Sequence, residues 1–186
     1  MKTHSFPTRQ MTIDYRQTRP ATSHLRQNRK SVVAIVGSGF SKEYPDEWDL
    51  QPLNVETPWG AVVLHQFRRS DRPEYVLFRQ GLPHRWLPNQ IQYKAHAWAI
   101  RAARCGALLS TSSVGILDSS IPLDALLDVG DIIALDNRLP DGSACSMYDV
   151  PATDQGHLVV KEGLLSTELR SQIVKLSTVD DLTLSG

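Results

Sequence analysis

The stretch Ser31-Val-Val-Ala-Ile-Val36-Gly37-Ser38-Gly39 decides the fold. A short apolar, β-branched run that ends on two closely spaced glycines is the pattern of a buried strand delivering its chain into a tight loop. A strand covered on both faces needs no polar alternation, and glycine lets the backbone turn sharply at its end. Before Ser31 the texture is different. Residues 1–30 carry Lys2, Arg9, Arg16, Arg19, Arg26, Arg29 and Lys30 against Asp14 alone, a net of +6, so the rest of this neutral chain carries −6. With Pro7, Pro20 and no regular apolar spacing, that segment cannot bury enough surface to offset its ordering entropy, and a mobile, disordered basic tail is expected over 1–30. A nucleic-acid arm, an Arg-rich transit peptide, a solvated extension or an upstream start with Met11 as the true first residue would all have such a composition. The solvated extension or upstream start is preferred, and no nucleic-acid partner is expected.

Downstream of Gly39 the chain reads as strands at 53–57, 61–67 and 74–79, separated by the turn signals Pro58-Trp59-Gly60 and Ser70-Asp71-Arg72-Pro73. Ile91, Ala95, Trp98, Ala99, Ala102 and Ala103 then recur at helical spacing, while Gln92, Lys94, Arg101 and Arg104 fill the other side. This predicts an amphipathic helix over 89–104, stopped by Gly106, followed by a buried strand at 107–111. Strand–helix–strand order implies a crossover, so the expected fold is α/β, with a mixed, mostly parallel central sheet and flanking helices. A further strand is expected at 130–136, a loop over 137–155, a last helix over 166–177 opened by Ser166-Thr167-Glu168, and the approach to a strand at 183–186. Trp86 and Trp98 are expected to fill core or subunit contacts rather than stack on a ligand.

Composition bounds the chemistry. The 186 residues are 41% apolar, enough for a sizeable core. Cys105 and Cys145 stand far apart with no CxxC nearby, which argues against a disulfide scaffold or a structural zinc site and for a reducing, cytoplasmic setting. The six histidines show no ligand spacing such as HxxxH, so no metal is expected. Neither a membrane-length apolar run nor the apolar core of a secretory signal is present, and no membrane partner is expected.

Three strand ends carry residues suited to an oxyanion. Gly37-Ser38-Gly39 follows the first strand. It is not a complete dinucleotide fingerprint, because Lys42 stands where a third glycine would be. Arg79 closes an apolar strand and precedes Gln80-Gly81-Leu82-Pro83-His84, and its planar fork can hold a phosphate without titrating. Ser110-Thr111-Ser112-Ser113 supplies hydroxyls at another strand end. Each has a bland alternative: a tight turn, a surface ion pair, a self-capping turn. A parallel sheet gathers strand ends at one edge, so their convergence is the stronger signal. His84 lies in the loop after Arg79 and is read as solvent-facing or satisfied by its surroundings.

Five stretches together resemble the trimeric purine nucleoside phosphorylase family, and within it the methylthioadenosine phosphorylase branch. They are Val33-Ala-Ile-Val-Gly-Ser-Gly-Phe40, Val55-Glu-Thr-Pro-Trp-Gly60, Arg79 through His84 with Pro88, Tyr93-Lys-Ala-His-Ala-Trp-Ala99, and Thr111-Ser-Ser-Val-Gly115 followed by Val129-Gly-Asp-Ile132. The likeness spans about residues 31–140 and continues faintly through 157–177. It implies a partial nucleoside phosphorylase-like domain over 31–186. The implied reaction is phosphorolysis, in which inorganic phosphate attacks the anomeric carbon of a purine nucleoside, a methylthioadenosine-like substrate being favoured, to give free base and a sugar 1-phosphate. No metal or organic cofactor is implied, only phosphate as co-substrate, and a homo-oligomer, a trimer, is implied. By the family pattern Ser38, Arg79, Gln80, Ser112 and Ser113 would hold phosphate, and Ser113, Val114 and Gly115 would meet the substrate; no catalytic residue is assigned.

Two departures stand out. Gln80 occupies the position where the family usually has histidine, and the sequence stops at Gly186 before the family's Gly-Pro-Arg strand, its Met-containing ribose segment and its purine-recognising acids. A C-terminally incomplete fold is therefore expected. The alternative function is a noncatalytic family member, a nucleoside- or phosphate-binding or oligomer-modifying subunit.

Overall fold

β1, Ser31–Val36, is the strand about which the sheet is organised, with a parallel neighbour on each side. The computed structural model describes residues 30–40, 44–123, 125–133, 138–147, 163–179 and 184–185. Apart from Lys30, the expected basic tail lies outside the described residues. These residues divide into two compact units, one within Met1–Ser113 and Arg138–Pro151, the other within Val114–Asn137 and Ala152–Gly186.

In the first unit, β2 (Leu50–Val55), β3 (Val62–Phe67), β4 (Glu74–Phe78) and β5 (Cys105–Ser110) join β1 in a five-stranded sheet of order β2-β3-β4-β1-β5. β1 runs parallel to β4 and β5, whereas β2 with β3 and β3 with β4 are antiparallel. The sheet is thus evenly mixed rather than mostly parallel. The cause is connection length: the turns at 56–61 and 68–73 are far too short for a parallel crossover, so they close hairpins. In the first, Gly60 N–H donates to the Thr57 carbonyl at 3.1 Å while Thr57 Oγ1 donates to the Gly60 carbonyl at 2.6 Å. Pro52 sits within β2, tolerated because that strand is a sheet edge.

Strand alternation divides the side chains between two faces. Val33, Leu64, Tyr75 and Leu77 form one cluster with Ala95, Ala99 and Ala102 of α1, which spans Tyr93–Ala102. Small alanines let the helix axis approach the sheet closely, and full burial of side chains such as Leu64 and Leu77 is worth about 1.5–3 kcal/mol each. Trp98 is buried and packs edge-on against Trp59, centroids 6.1 Å apart, whereas Trp86 is exposed and outside the core. The other face buries Val36, Leu50, Val76 and Phe78 beneath Phe40, Tyr44 and Trp48. Tyr44 lies 5.7 Å from Phe78 and Trp48 lies 5.9 Å from Phe67, which fastens the chain following Gly39 back onto the sheet.

The helix is shorter than its periodicity suggests because Pro88–Gln90 forms a separate 3-10 turn. Gly106 does not stop it. Ala103 caps α1 and Arg104 takes the left-handed conformation at φ 54°, while Gly106 lies within β5. There its missing side chain leaves room for Lys30, whose Cβ would stand 2.8 Å from an added Cβ.

In the second unit, β6 (Leu126–Leu127) pairs parallel with β7 (Leu184–Ser185), and α2 covers Thr167–Val179. Ser166 Oγ accepts the Leu169 N–H at 3.3 Å, so Ser166 caps the helix rather than forming its first residue. Arg170 of α2 grips Asp128 by Nε at 2.9 Å and Nη2 at 2.6 Å. The strand expected at 130–136 does not form over 130–133; residues 134–136 lie outside the described residues.

Candidate functional site

The parallel pairing of β1 with both neighbours brings three strand ends to one edge. Pairing continues one residue past each flanking strand: Arg79 N–H donates to the Val36 carbonyl at 3.0 Å and Thr111 N–H to the Ile35 carbonyl at 2.9 Å. Gly37, Arg79 and Ser112 meet there. A Cβ built on Gly37 would stand 2.9 Å from Arg79 Nη2 and 3.6 Å from the Thr111 carbonyl oxygen. Only a bare Cα lets the guanidinium lie across the β1 end.

Arg79 Nη2 donates to Ser112 Oγ at 3.4 Å, and Ser112 Oγ donates to the Ser113 carbonyl at 3.5 Å. Bonds this long hold the hydroxyl loosely, so it is free to turn toward a ligand. Among the described residues no carboxylate pairs with Arg79. A half-buried guanidinium without a counter-ion, beside a hydroxyl, has the chemistry of an oxyanion seat.

Sequence reasoning gave no role to His96. Arg79 extends the register of Tyr75 and Leu77 and so lies on the α1-covered face, and His96 of α1 sits half-buried within reach of its charge. Burial and then the Arg79 charge lower the His96 ring from its usual value to about 4. The signal was available: alternation along β4 together with the Ala95–Ala99 stripe puts both residues at one junction. His84 instead is exposed, its Nε2 3.0 Å from the Trp86 carbonyl.

The remaining expected residues are placed as follows. Gln80 is half-buried, its carbonyl accepts the N–H groups of Arg85 and Trp86, and its buried Oε1 has no hydrogen-bond partner among the described residues. Ser38 opens a 3-10 turn, Ser38–Phe40, and is exposed, with no hydrogen bond to Arg79 or Ser112. Ser113 ends the first unit and is exposed, whereas Val114, 73% exposed, and Gly115 open the second. The edge therefore brings together Arg79, Ser112 and Gly37, with His96 beside them. Among the described residues no three His, Cys, Asp or Glu side chains cluster as metal ligands would, and no helix is long and apolar enough to cross a membrane.

No protein-family model matches the chain. A probable S-methyl-5'-thioinosine phosphorylase of Methanopyrus kandleri is 32% identical over 153 residues, covering 81% of this chain and 54% of that protein. The chain belongs to the purine nucleoside/methylthioadenosine phosphorylase family. Another relative, a probable S-methyl-5'-thioinosine phosphorylase of Pseudomonas syringae, is 35% identical over 89 residues, 46% of this chain and 35% of that protein. Among solved structures, the methylthioadenosine phosphorylase of Schistosoma mansoni in complex with tubercidin superposes with a TM-score of 0.64 at 24% identity, over 82% of this chain and 53% of that one. The mixed sheet of this family member is thus a nucleoside phosphorylase-like sheet. The phosphorylase-family chain spans about half the length, or less, of these relatives.

Proposed function

We propose that this protein seats inorganic phosphate at Arg79 and takes part in phosphorolysis of purine nucleosides, a methylthioadenosine-like substrate being favoured. The carrying observation is the half-buried Arg79 guanidinium at a convergence of strand ends, without a described carboxylate partner and laid across a glycine. Gln80, Ser112 and Ser113 complete the phosphate site in this proposal, with Ser38 turned in from the neighbouring loop, and Ser113 also meets the sugar and base. Preorganised donors would both position the attacking oxygen and stabilise charge as it develops on the departing sugar carbon. Kinship with phosphorylases of methylthioadenosine, methylthioinosine and 6-oxopurine nucleosides supports the substrate class.

Purified protein incubated with phosphate and methylthioadenosine, inosine or adenosine should release free base. No turnover with any of them at high protein concentration would overturn the enzymatic reading. A second reading is a subunit that binds phosphate or nucleoside without turning it over, since a family fold does not by itself fix activity and Gln80 stands where the family usually has histidine. Phosphate binding without base release would select it.

Self-association, as a trimer, belongs to the same proposal. Among the described residues β5 is an edge strand with Leu108 49% and Leu109 45% exposed, apolar surface that a neighbouring copy would cover. Light scattering from a monodisperse monomer at high concentration would refute it.

A further inference from the structure

We propose that His96 is the proton-accepting partner of Arg79, so that an oxyanion seated on the guanidinium is also held by an imidazolium that forms only when the anion arrives. The inference rests on the anion-site reading of Arg79 and says how pH would regulate that site.

The placement follows from register. Tyr75 and Leu77 of β4 point into the α1 cluster, and the Arg79 N–H to Val36 carbonyl bond carries that alternation one step further, to the same face. His96 flanks the stripe Ala95, Ala99 and Ala102 by which α1 lies on the sheet, with Ala99 and Ile100 one turn behind it. Other charged groups near α1 are engaged elsewhere. Lys94 reaches over the Trp59 ring at 5.9 Å and Arg101 over the Trp98 ring at 5.7 Å. Glu74 stands at the opposite end of β4, and Cys105 opens β5 at the same far end of the sheet. His65 lies against Phe78 on the other face, 4.8 Å between centroids. The Arg79 charge acts on His96, and the Asp141 carboxylate acts on Lys94 of the same helix.

His96 and the Arg79 guanidinium lie at one junction, on the α1-covered face at the end of β4. In the empty site the ring stays neutral, since burial and the guanidinium both oppose its charge and hold it at about 4. A doubly charged oxyanion reverses the field at the ring, so a proton passes from solvent to the free imidazole nitrogen and the ring becomes a second charged donor. No other bond is made or broken. By linkage, anion affinity must then rise as pH falls toward the free-state value, and binding must take up protons.

Sulfate is the suitable probe because, unlike phosphate, it does not titrate near neutrality. Calorimetry in buffers of different ionisation enthalpy should show proton uptake on sulfate binding and about tenfold tighter binding at about pH 5 than at about pH 7. His96→Asn should still bind sulfate, with no uptake and a flat pH profile. NMR titration of the His96 ring in the parent protein, with and without sulfate, gives a readout independent of that variant: its pKa should rise on binding. An unmoved ring, or equal uptake in His96→Asn, would overturn the role of His96 while leaving the Arg79 site standing. Sulfate bound equally well by Arg79→Ala, or not bound by the parent at all, would overturn the anion-site reading and this inference with it.

Discussion

Gly37 and Arg79 are packed so closely that no side chain fits between them: an added Cβ would come within 2.9 Å of Arg79 Nη2. The obstructing atom is the far end of a flexible side chain, so it can move. Gly37→Ala should therefore fold with near-parent stability while displacing the guanidinium, lowering phosphate affinity by about tenfold, some 1.4 kcal/mol. Calorimetric titration with phosphate beside a denaturant melt checks this; unchanged affinity would mean that the position of Arg79 at the β1 end is immaterial.

Removing the guanidinium itself should do more. A charge-assisted contact is worth about 1.5–3 kcal/mol, so Arg79→Ala should cost roughly tenfold to a hundredfold in phosphate affinity without unfolding the protein. Arg79→Lys should recover only part of the loss, since a point charge cannot make the paired donation of a planar fork. Full recovery by lysine would show that charge alone, and not geometry, holds the anion.

Leu64 and Val63 are adjacent on β3 yet differ completely in burial, 0% and 40% exposed. Leu64→Ala should destabilise the first unit by about 2–5 kcal/mol, because it opens a cavity between the sheet and α1. Val63→Ala should cost well under half as much. Equal shifts in the denaturation midpoints would contradict the assignment of faces.

Side-chain hydrogen bonding from Arg170 holds the Asp128 carboxyl below the usual carboxylate range. The folded value lies below the unfolded one, about 3.9, so the pair's stabilisation is present above the unfolded value and is lost as pH falls through the folded one. Protection of the α2 amides against hydrogen exchange, taken relative to the intrinsic rate at each pH, should accordingly fall on acidification in the parent. In Asp128→Asn the same protection should already be lower near neutrality and change little between about pH 5 and about pH 3. A parent-like acid response in that variant would exclude the pair as its source.

His65 and His96 share one sign. Burial lowers His65, and burial with the Arg79 charge lowers His96 to about 4. Each ring therefore binds fewer protons folded than unfolded, so the stabilisation is complete above the unfolded value of about 6.5 and declines as pH falls from there through the folded values. His65→Phe, which also removes a buried Nδ1 lacking a described partner, should flatten part of that decline in urea melts. A decline of unchanged steepness would place its origin elsewhere.

The sequence by itself determined the elements and the family. The apolar run at 31–36, the turn signals at 58–60 and 70–73 and the alanine stripe of α1 are local patterns, readable because burial imposes periodicity on neighbours in the chain. Gly37, Arg79 and the Ser112 turn were recognisable as chemistry for the same reason: each follows a strand, and strand ends of parallel neighbours share an edge. Boundaries moved where local signals competed: Arg104 took the left-handed position at the end of α1, while Gly106 lies within β5, where its bare Cα leaves room for Lys30.

Only the tertiary structure decided which of these residues touch. That β3 lies antiparallel to β4, that Gly37 is bare because a guanidinium crosses it, and that His96 rather than His84 stands beside Arg79 are facts of pairing and face. They are set by contacts between segments distant in sequence, whose energies depend on register and on which side of the sheet each side chain leaves. A residue's type fixes the chemistry it can perform; the register of the sheet fixes which partner it performs it with.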